Sequence, residues 1–277
     1  MIPMVMQHRR LPLIIAAVLA AALVSISCTG TETPPPDDAL ESPEALRGAI
    51  DARLDTVEDA RFRRVVLEYF GDGDRVRVRQ LILVERPDKL RVQTRLPGSD
   101  EIVSLLVTDG QTFALHERED NTYYTGAPTR ENINRLLPVD LSAADLVRVM
   151  LGGAPWDRFE RDGGEPTLDW DREQGKYRYS VRGENGNLLS MYVRHPEFVV
   201  DEVRETDADG EVVYAYTTRG WDEHEGLLLP SFRRFQWPER DLDFSVDSPE
   251  VELNVDFPST LFEFPPPPGS RIVEIDE

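Results

Sequence analysis

The sequence predicts a mainly β domain with a few helices, in the α+β class. From Phe62 onwards, apolar and polar residues alternate over successive short segments, which is the spacing of half-buried strands. The joints between these segments are short and contain Gly, Pro, Asn or Asp, which favours antiparallel neighbours. Two stretches with helical spacing, one before the first strand and one in mid-chain, carry apolar faces that need a surface to cover.

Residues 1–27 are typical of a bacterial lipoprotein signal peptide. A basic start, His8 to Arg10, precedes a nearly unbroken apolar run from Leu11 to Ile26. The segment from Leu23 to Cys28 resembles a lipobox, so we expect cleavage before Cys28, the only cysteine, and attachment of palmitate-type acyl chains to it. A plain secretory signal and an uncleaved anchor are the alternatives, although the apolar run is shorter than the ~20 residues that usually span a membrane.

Lipid attachment would tether the protein to a membrane, since each buried methylene adds about 0.8 kcal/mol of membrane affinity. Thr29 stands where an aspartate would favour the inner membrane, so we expect the outer membrane, with the folded part facing the periplasm. Residues 28–41 form the anchored linker, in which Pro34 to Pro36 favour an extended spacer. Residues 42–277 form the folded domain.

Composition narrows the possible partners. The chain has 31 Lys and Arg residues against 52 Asp and Glu residues, a net charge of −21. Nucleic acid is an unsuitable partner, because phosphate binding needs a basic surface. Self-repulsion favours a monomer. A single cysteine excludes internal disulfides and thiolate metal sites.

An amphipathic helix is predicted from Pro43 to Glu58. Ser42 is a suitable N-cap, and proline fits the first helical position. Four apolar residues recur at three- and four-residue spacing and form one face, which is a candidate lid or cavity wall: Leu46, Ile50, Leu54 and Val57.

More than ten strands follow. They are predicted at Phe62–Phe70, Arg75–Glu85, Lys89–Leu96, Glu101–Thr108, Gln111–Glu117, Pro166–Asp171, Lys176–Gly183, Leu188–Arg194, Val199–Thr206, Glu211–Arg219, Leu229–Trp237, Leu242–Asp247 and Val251–Phe257. A sheet of this size with alternating faces can curl round a lumen.

Two helices interrupt the strands. Thr129 could cap a first helix that ends at Pro138, and Ser142 caps a second one, with Asp145 completing a capping box. The second helix is apolar over much of its surface and ends at Gly152. Its candidate cavity or lid residues are Leu146, Val147, Met150 and Leu151.

The order of these elements resembles a known family. An "RPDKLR" step at Arg86 to Arg91, an Asp-Gly hairpin at Asp109, the pair Tyr123-Tyr124, two mid-chain helices and the tail FEFPPPPG from Phe262 follow one another along the chain. This order is similar to that of LolA-like and LolB-like proteins, the lipoprotein-localisation carriers and receptors, and of related outer-membrane lipoproteins. The resemblance covers nearly the whole chain after the signal.

The resemblance implies an unclosed antiparallel β-barrel covered by amphipathic helices, with an apolar cavity for acyl chains between sheet and helices. In the receptor branch an exposed leucine between the third and fourth strands contacts the membrane. Leu96 occupies the corresponding joint, so it is a candidate membrane-facing residue. Alternatively, Leu96 is the last core residue of its strand.

Catalytic and metal-binding patterns are weak. His116, His195 and His224 lie far apart, and no zinc spacing occurs. Asp207 begins an aspartate-rich turn, but its twelfth position is Thr218 and not the glutamate of a calcium loop. No nucleophile motif is present. We therefore expect no enzyme activity, metal or cofactor.

Two functions follow from the sequence. The first is a lipid-anchored carrier or receptor that binds acyl chains or lipoproteins in the cavity, as a transport factor or chaperone of the envelope. The second is an envelope interaction or sensor module of the same fold that docks a protein partner without transferring lipid.

Overall fold

A computed structural model describes residues 32–71, 73–136, 139–161 and 163–275. The predicted lipidation site Cys28 lies outside the described residues. Within them are four α-helices: α1 (Pro43–Ala52), α2 (Arg130–Leu136), α3 (Ala143–Met150) and α4 (Trp156–Glu160). The strands are β1 (Asp59–Gly71), β2 (Asp74–Glu85), β3 (Lys89–Arg95), β4 (Ile102–Thr108), β5 (Phe113–Glu117), β6 (Thr122–Gly126), β7 (Thr167–Asp171), β8 (Lys176–Arg182), β9 (Leu188–Arg194), β10 (Val199–Thr206), β11 (Val212–His224), β12 (Leu227–Trp237), β13 (Leu242–Asp247), β14 (Glu250–Leu253) and β15 (Arg271–Ile275).

All of these strands belong to one sheet that does not close. Its order is β15-β6-β5-β4-β3-β2-β1-β13-β12-β11-β10-β9-β8-β7, and β14 also pairs with β1. Two antiparallel meanders, β1 to β6 and β7 to β13, therefore meet where β1 pairs with β13. The unclosed, mainly antiparallel sheet confirms the predicted fold class.

The helices cover one face of the sheet, which we call the inner face. Alternation in β2 directs Ile82 and Val84 to the inner face, while Leu83 lies on the outer face. Buried residues of all four helices join the inner-face strand residues in one large apolar core. Burial of this surface is the main favourable term in the stability of such a domain.

A smaller apolar cluster lies on the outer face of β2 to β4. There Leu83, Leu105 and Val107 are covered by Phe257 and Phe262 of the chain that follows β14. We call residues 255–264 the C-terminal strap. The strap is fixed at its start by the buried carboxylate of Asp59, which accepts hydrogen bonds from the backbone of Val255 (2.7 Å) and Asp256 (3.0 Å).

Strand β11 continues past its predicted end at Arg219 to His224, and two other segments end earlier than predicted. The first helix ends at Ala52, because the following backbone forms tighter turns, with Val57 N donating to the Leu54 carbonyl at 3.0 Å. These turns keep Leu54 and Val57 buried as the chain enters β1. The last predicted strand stops at Leu253, since the left-handed backbone of Asn254 (φ 49°) turns the chain into the C-terminal strap.

Three elements were not predicted. Helix α4 has five residues, and β6 and β15 have five residues each. Strand β15 runs parallel to β6, with Ile272 opposite Tyr123, and is the exception to the expected antiparallel pairing. Such short segments depend on distant partners, and local periodicity carries little information about them.

Part of the expected linker packs on the domain. The Thr33 amide donates to the Arg172 carbonyl (2.8 Å), and its carbonyl accepts from the Trp170 indole (2.9 Å). The Leu40 amide donates to the Tyr177 hydroxyl (2.8 Å). Among the described residues no helix is long and apolar enough to cross a membrane.

Candidate functional site

An open apolar cleft of about 570 Å³ lies on the inner face, between the N-terminal meander and helices α2 and α3. We call it the inner cleft. Its lining comes from β1 to β5, β13, both helices and the segment between them, and comprises Leu67, Tyr69, Val76, Gln80, Val92, Thr94, Ser104, Leu106, Leu115, Asn134, Arg135, Val139, Leu146, Phe244 and Val246. The volume is within the range of small-molecule pockets, about 300–1,000 Å³.

Strand alternation creates the apolar wall. Leu67 of β1, Val92 of β3, Leu106 of β4 and Leu115 of β5 project towards α3 and join the edge of the core. The β1–β2 hairpin extends beyond the end of β3, because Arg79 of β2 already pairs with Arg95, the last residue of β3. The inner cleft continues along this extension to Val76, whose side chain is 45% exposed.

Three polar side chains on the strands of the wall have hydrogen-bond partners within the protein. Gln80 donates a hydrogen bond to the Thr94 hydroxyl at 3.1 Å, and Ser104 donates to the Glu117 carboxylate at 3.3 Å. Burial raises the pKa of Glu117, although the Ser104 bond opposes the shift. Internal pairing leaves the wall suited to an apolar ligand, because few polar groups require a partner from it.

Helix α3 is held at both ends. At its start, the Ser142 hydroxyl accepts a hydrogen bond from the Asp145 amide at 3.1 Å, as predicted for an N-cap. The Asp145 carboxylate accepts from the Asp157 amide (3.1 Å) and the Arg158 amide (2.9 Å) of α4, so it does not complete the predicted capping box. At its end, the buried Arg233 guanidinium donates to the carbonyls of Val149 (3.1 Å) and Met150 (2.5 Å). These contacts fix the position of Leu146 over the inner cleft.

The helix residues proposed from sequence divide into two groups. Leu146 lines the inner cleft. The other seven lie in the packed core and are at most 7% exposed: Leu46, Ile50, Leu54, Val57, Val147, Met150 and Leu151. Helix α1 packs beside α4, where the Trp156 indole donates to Asp51 at 2.7 Å. The space beneath α1 is thus filled by the protein's own side chains, and a lid role for these residues stays a prediction.

Leu96 is exposed at the end of β3. Its side chain is 51% accessible, so the alternative of a buried core residue is wrong. Leu96 lies on the joint to β4, at the same end of the sheet as the β1–β2 hairpin. Contact with a membrane stays a prediction.

Sequence reasoning missed the strand residues of the inner cleft. The predicted strands contain Leu67, Val92 and Leu106, but the two-residue period gave no sign that helices leave this part of the inner face uncovered. The described residues contain no group of three or more His, Cys, Asp or Glu side chains placed to hold a metal ion.

One family model matches part of the chain. Residues 74–143 match the family described as "Predicted periplasmic protein (DUF2092)". This segment contains ten of the fifteen residues of the inner cleft, so the match falls on the part of the chain that builds most of it. No curated protein sequence matches the chain.

Solved structures show a similar fold over most of the chain. A DUF1329 family protein from Desulfovibrio piger has a TM-score of 0.59 and 12% identity, covering 81% of this chain and 98% of that one. A putative outer membrane lipoprotein-sorting protein domain from Vibrio parahaemolyticus has a TM-score of 0.58 and 7% identity, covering 79% and 94%. A LolA superfamily protein from Nitrosomonas europaea has a TM-score of 0.55 and 14% identity, covering 82% and 99%. This chain has the LolA-like fold, a mostly β domain with few helices and one unclosed, mainly antiparallel sheet.

Proposed function

We propose that this protein binds acyl chains, free or carried by a lipoprotein, in the inner cleft, and that it acts as a carrier or receptor without enzyme activity. The observation that carries the proposal is the open apolar wall beneath Leu146, in which the strand residues Gln80, Thr94 and Ser104 are hydrogen-bonded within the protein. Fold similarity to a lipoprotein-sorting domain supports the same ligand class, although fold by itself does not determine function.

An acyl chain suits the inner cleft physically. Each buried methylene contributes about 0.8 kcal/mol, and the contribution has no directional requirement. The wall supplies aliphatic side chains such as Leu67 and Val92 and the aromatic ring of Phe244, with Gln80 and Ser104 already bonded. A flexible apolar chain therefore gains affinity there without leaving buried polar groups unpaired.

The proposed location is the periplasmic side of the outer membrane, with the chain tethered through lipid on Cys28. The signal-like residues 1–27 and the periplasmic description of the matching family support this location. The net charge of −21 disfavours binding to nucleic acid and favours a monomer.

Native mass spectrometry of the purified protein, followed by lipid extraction, tests the proposal. We expect a stoichiometric adduct of acyl-chain mass. Leu146→Trp should fill the inner cleft and remove most of the adduct. Ile272→Trp is the matched control, because Ile272 is 54% exposed on β15 and should leave the adduct unchanged.

A bare mass that persists after incubation with phospholipids and acylated peptides would contradict the proposal. Equal loss of adduct in both tryptophan variants would also contradict it, because the lipid would then bind elsewhere. Recovery of one specific protein by crosslinking, together with no extractable lipid, would instead favour the interaction or sensor module.

A further inference from the structure

Two arginines face each other across the outer face of the sheet. Arg79 of β2 lies directly opposite Arg95 of β3. Cross-strand neighbours have Cβ atoms about 5 Å apart, and like charges in such a pair are destabilising. Within the described part of the chain, neither side chain has a carboxylate within ion-pair distance or another hydrogen-bond partner.

The neighbouring arginines are paired differently. Glu252 binds Arg61 and Arg63 of β1, and Glu250 binds Arg64 of the same strand. Glu68 binds Arg75 and Arg77 of β2. The chain has 52 acidic residues against 31 basic ones. A like-charge pair without a carboxylate is therefore unexpected on composition, and its electrostatic cost points to a missing anion.

The pair lies in an open cleft of about 550 Å³, which we call the outer cleft. Leu261 of the C-terminal strap and Ser99 of the β3–β4 joint form parts of its wall. Asp100 also lines it but forms no ion pair with either arginine. The Nε atom of Arg95 is buried and has no hydrogen-bond partner in the described structure. A buried donor without a partner is costly, so a bound acceptor would stabilise it.

We propose that the outer cleft binds a phosphate group through Arg79 and Arg95. Guanidinium groups are planar, always charged and suited to bidentate hydrogen bonding with phosphate oxygens. The site is distinct from the inner cleft, because strand alternation sends the preceding residue of β3, Thr94, to the opposite face. The phosphate belongs to a soluble phosphate ester or to a phospholipid headgroup, and both present the same oxygens.

Titration calorimetry with glycerol 3-phosphate and sedimentation with phosphatidylglycerol vesicles distinguish these sources. Arg79→Gln combined with Arg95→Gln should lower affinity for the ligand that binds by about tenfold or more, since several charge-assisted hydrogen bonds are lost. The control is Arg75→Gln with Arg77→Gln. This control removes two positive charges from the same face, but the guanidinium groups that it removes are already bound to Glu68. We therefore expect the affinity for the ligand to change by less than about threefold.

Binding of glycerol 3-phosphate assigns a soluble ester, and binding of vesicles alone assigns a lipid headgroup. If neither probe binds, the proposal is overturned. An equal loss of affinity in both double variants also overturns it, because binding would then depend only on the general charge of the surface. Thermal unfolding separates binding from folding: the Arg79/Arg95 variant should melt no lower than the wild type without ligand, because a like-charge pair is removed. Its acyl adduct should persist, so this proposal can fail independently of the proposed function.

Discussion

Replacing Arg233 by methionine should destabilise the domain by loosening helix α3. The Arg233 side chain is fully buried and donates hydrogen bonds to the carbonyls of Val149 and Met150 and to the Ser248 hydroxyl (2.8 Å). No carboxylate pairs with it in the described structure. The charge is held by the carbonyl end of α3, where a cation is favourably placed.

The expected magnitude follows from two opposing terms. Three hydrogen bonds to a charged group contribute at least about 4.5 kcal/mol. Burial opposes them, since it lowers the pKa of Arg233 to about 10, which corresponds to about 3 kcal/mol against the charged form. A methionine at position 233 avoids the cost of burying the charge, but it leaves the Met150 carbonyl without the hydrogen bond that Arg233 donates. We therefore expect a net loss of about 2–4 kcal/mol in the free energy of unfolding.

Urea unfolding, followed by tryptophan fluorescence, measures this loss, provided that the wild type and the variant have the same m-value. The control is Arg234→Met. The adjacent Arg234 is on the other face, partly exposed and paired with Asp243, so its loss should cost less than about 1 kcal/mol. A loss at Arg233 no larger than that at Arg234 would refute the reasoning. Amide exchange should show the loosening in α3, and binding of an acyl chain beneath Leu146 should weaken with it.

Three further changes test other contacts. Burial and then the Asp157 carboxylate raise the pKa of Asp145 from 3.8 to about 6, so the folded state favours the protonated form. Raising the pH from 4 to 7 should therefore lower wild-type stability by about 2 kcal/mol relative to Asp145→Asn in parallel urea titrations, and a constant difference would contradict this. Trp170→Phe removes the bond to the Thr33 carbonyl and should speed proteolysis of residues 33–40 without lowering the melting temperature; unchanged cleavage would mean that other contacts hold the segment. Asp59→Ala leaves two amides of the C-terminal strap unpaired, so it should lower the free energy of unfolding in urea by about 2–3 kcal/mol. Amide exchange in the strap should become faster. A near-neutral result would show that water replaces the carboxylate.

The elements that local chemistry specifies were predicted well. The caps at Ser42 and Ser142 both accept the expected backbone hydrogen bond. Strand β9 matches its predicted bounds, as do β10 and β13. Strand β2 also ends at its predicted residue, Glu85, and begins one residue earlier than predicted, at Asp74. Caps and a two-residue period are local properties, so the sequence carries them without knowledge of the partners.

The sequence by itself determined a mainly antiparallel β domain with capped helices over one face, and the order of its elements led to the LolA-like fold. Only the tertiary structure decided which apolar residues are packed and which line a cleft. Leu46 and Leu146 have similar helical surroundings in sequence, yet one is fully buried and the other lies over the inner cleft. The pairing of β15 with β6 and the position of Arg79 opposite Arg95 likewise depend on strand register. Strand register and the covering of the sheet by helices both arise from contacts between segments that are distant in sequence. The local pattern of the sequence does not encode these contacts.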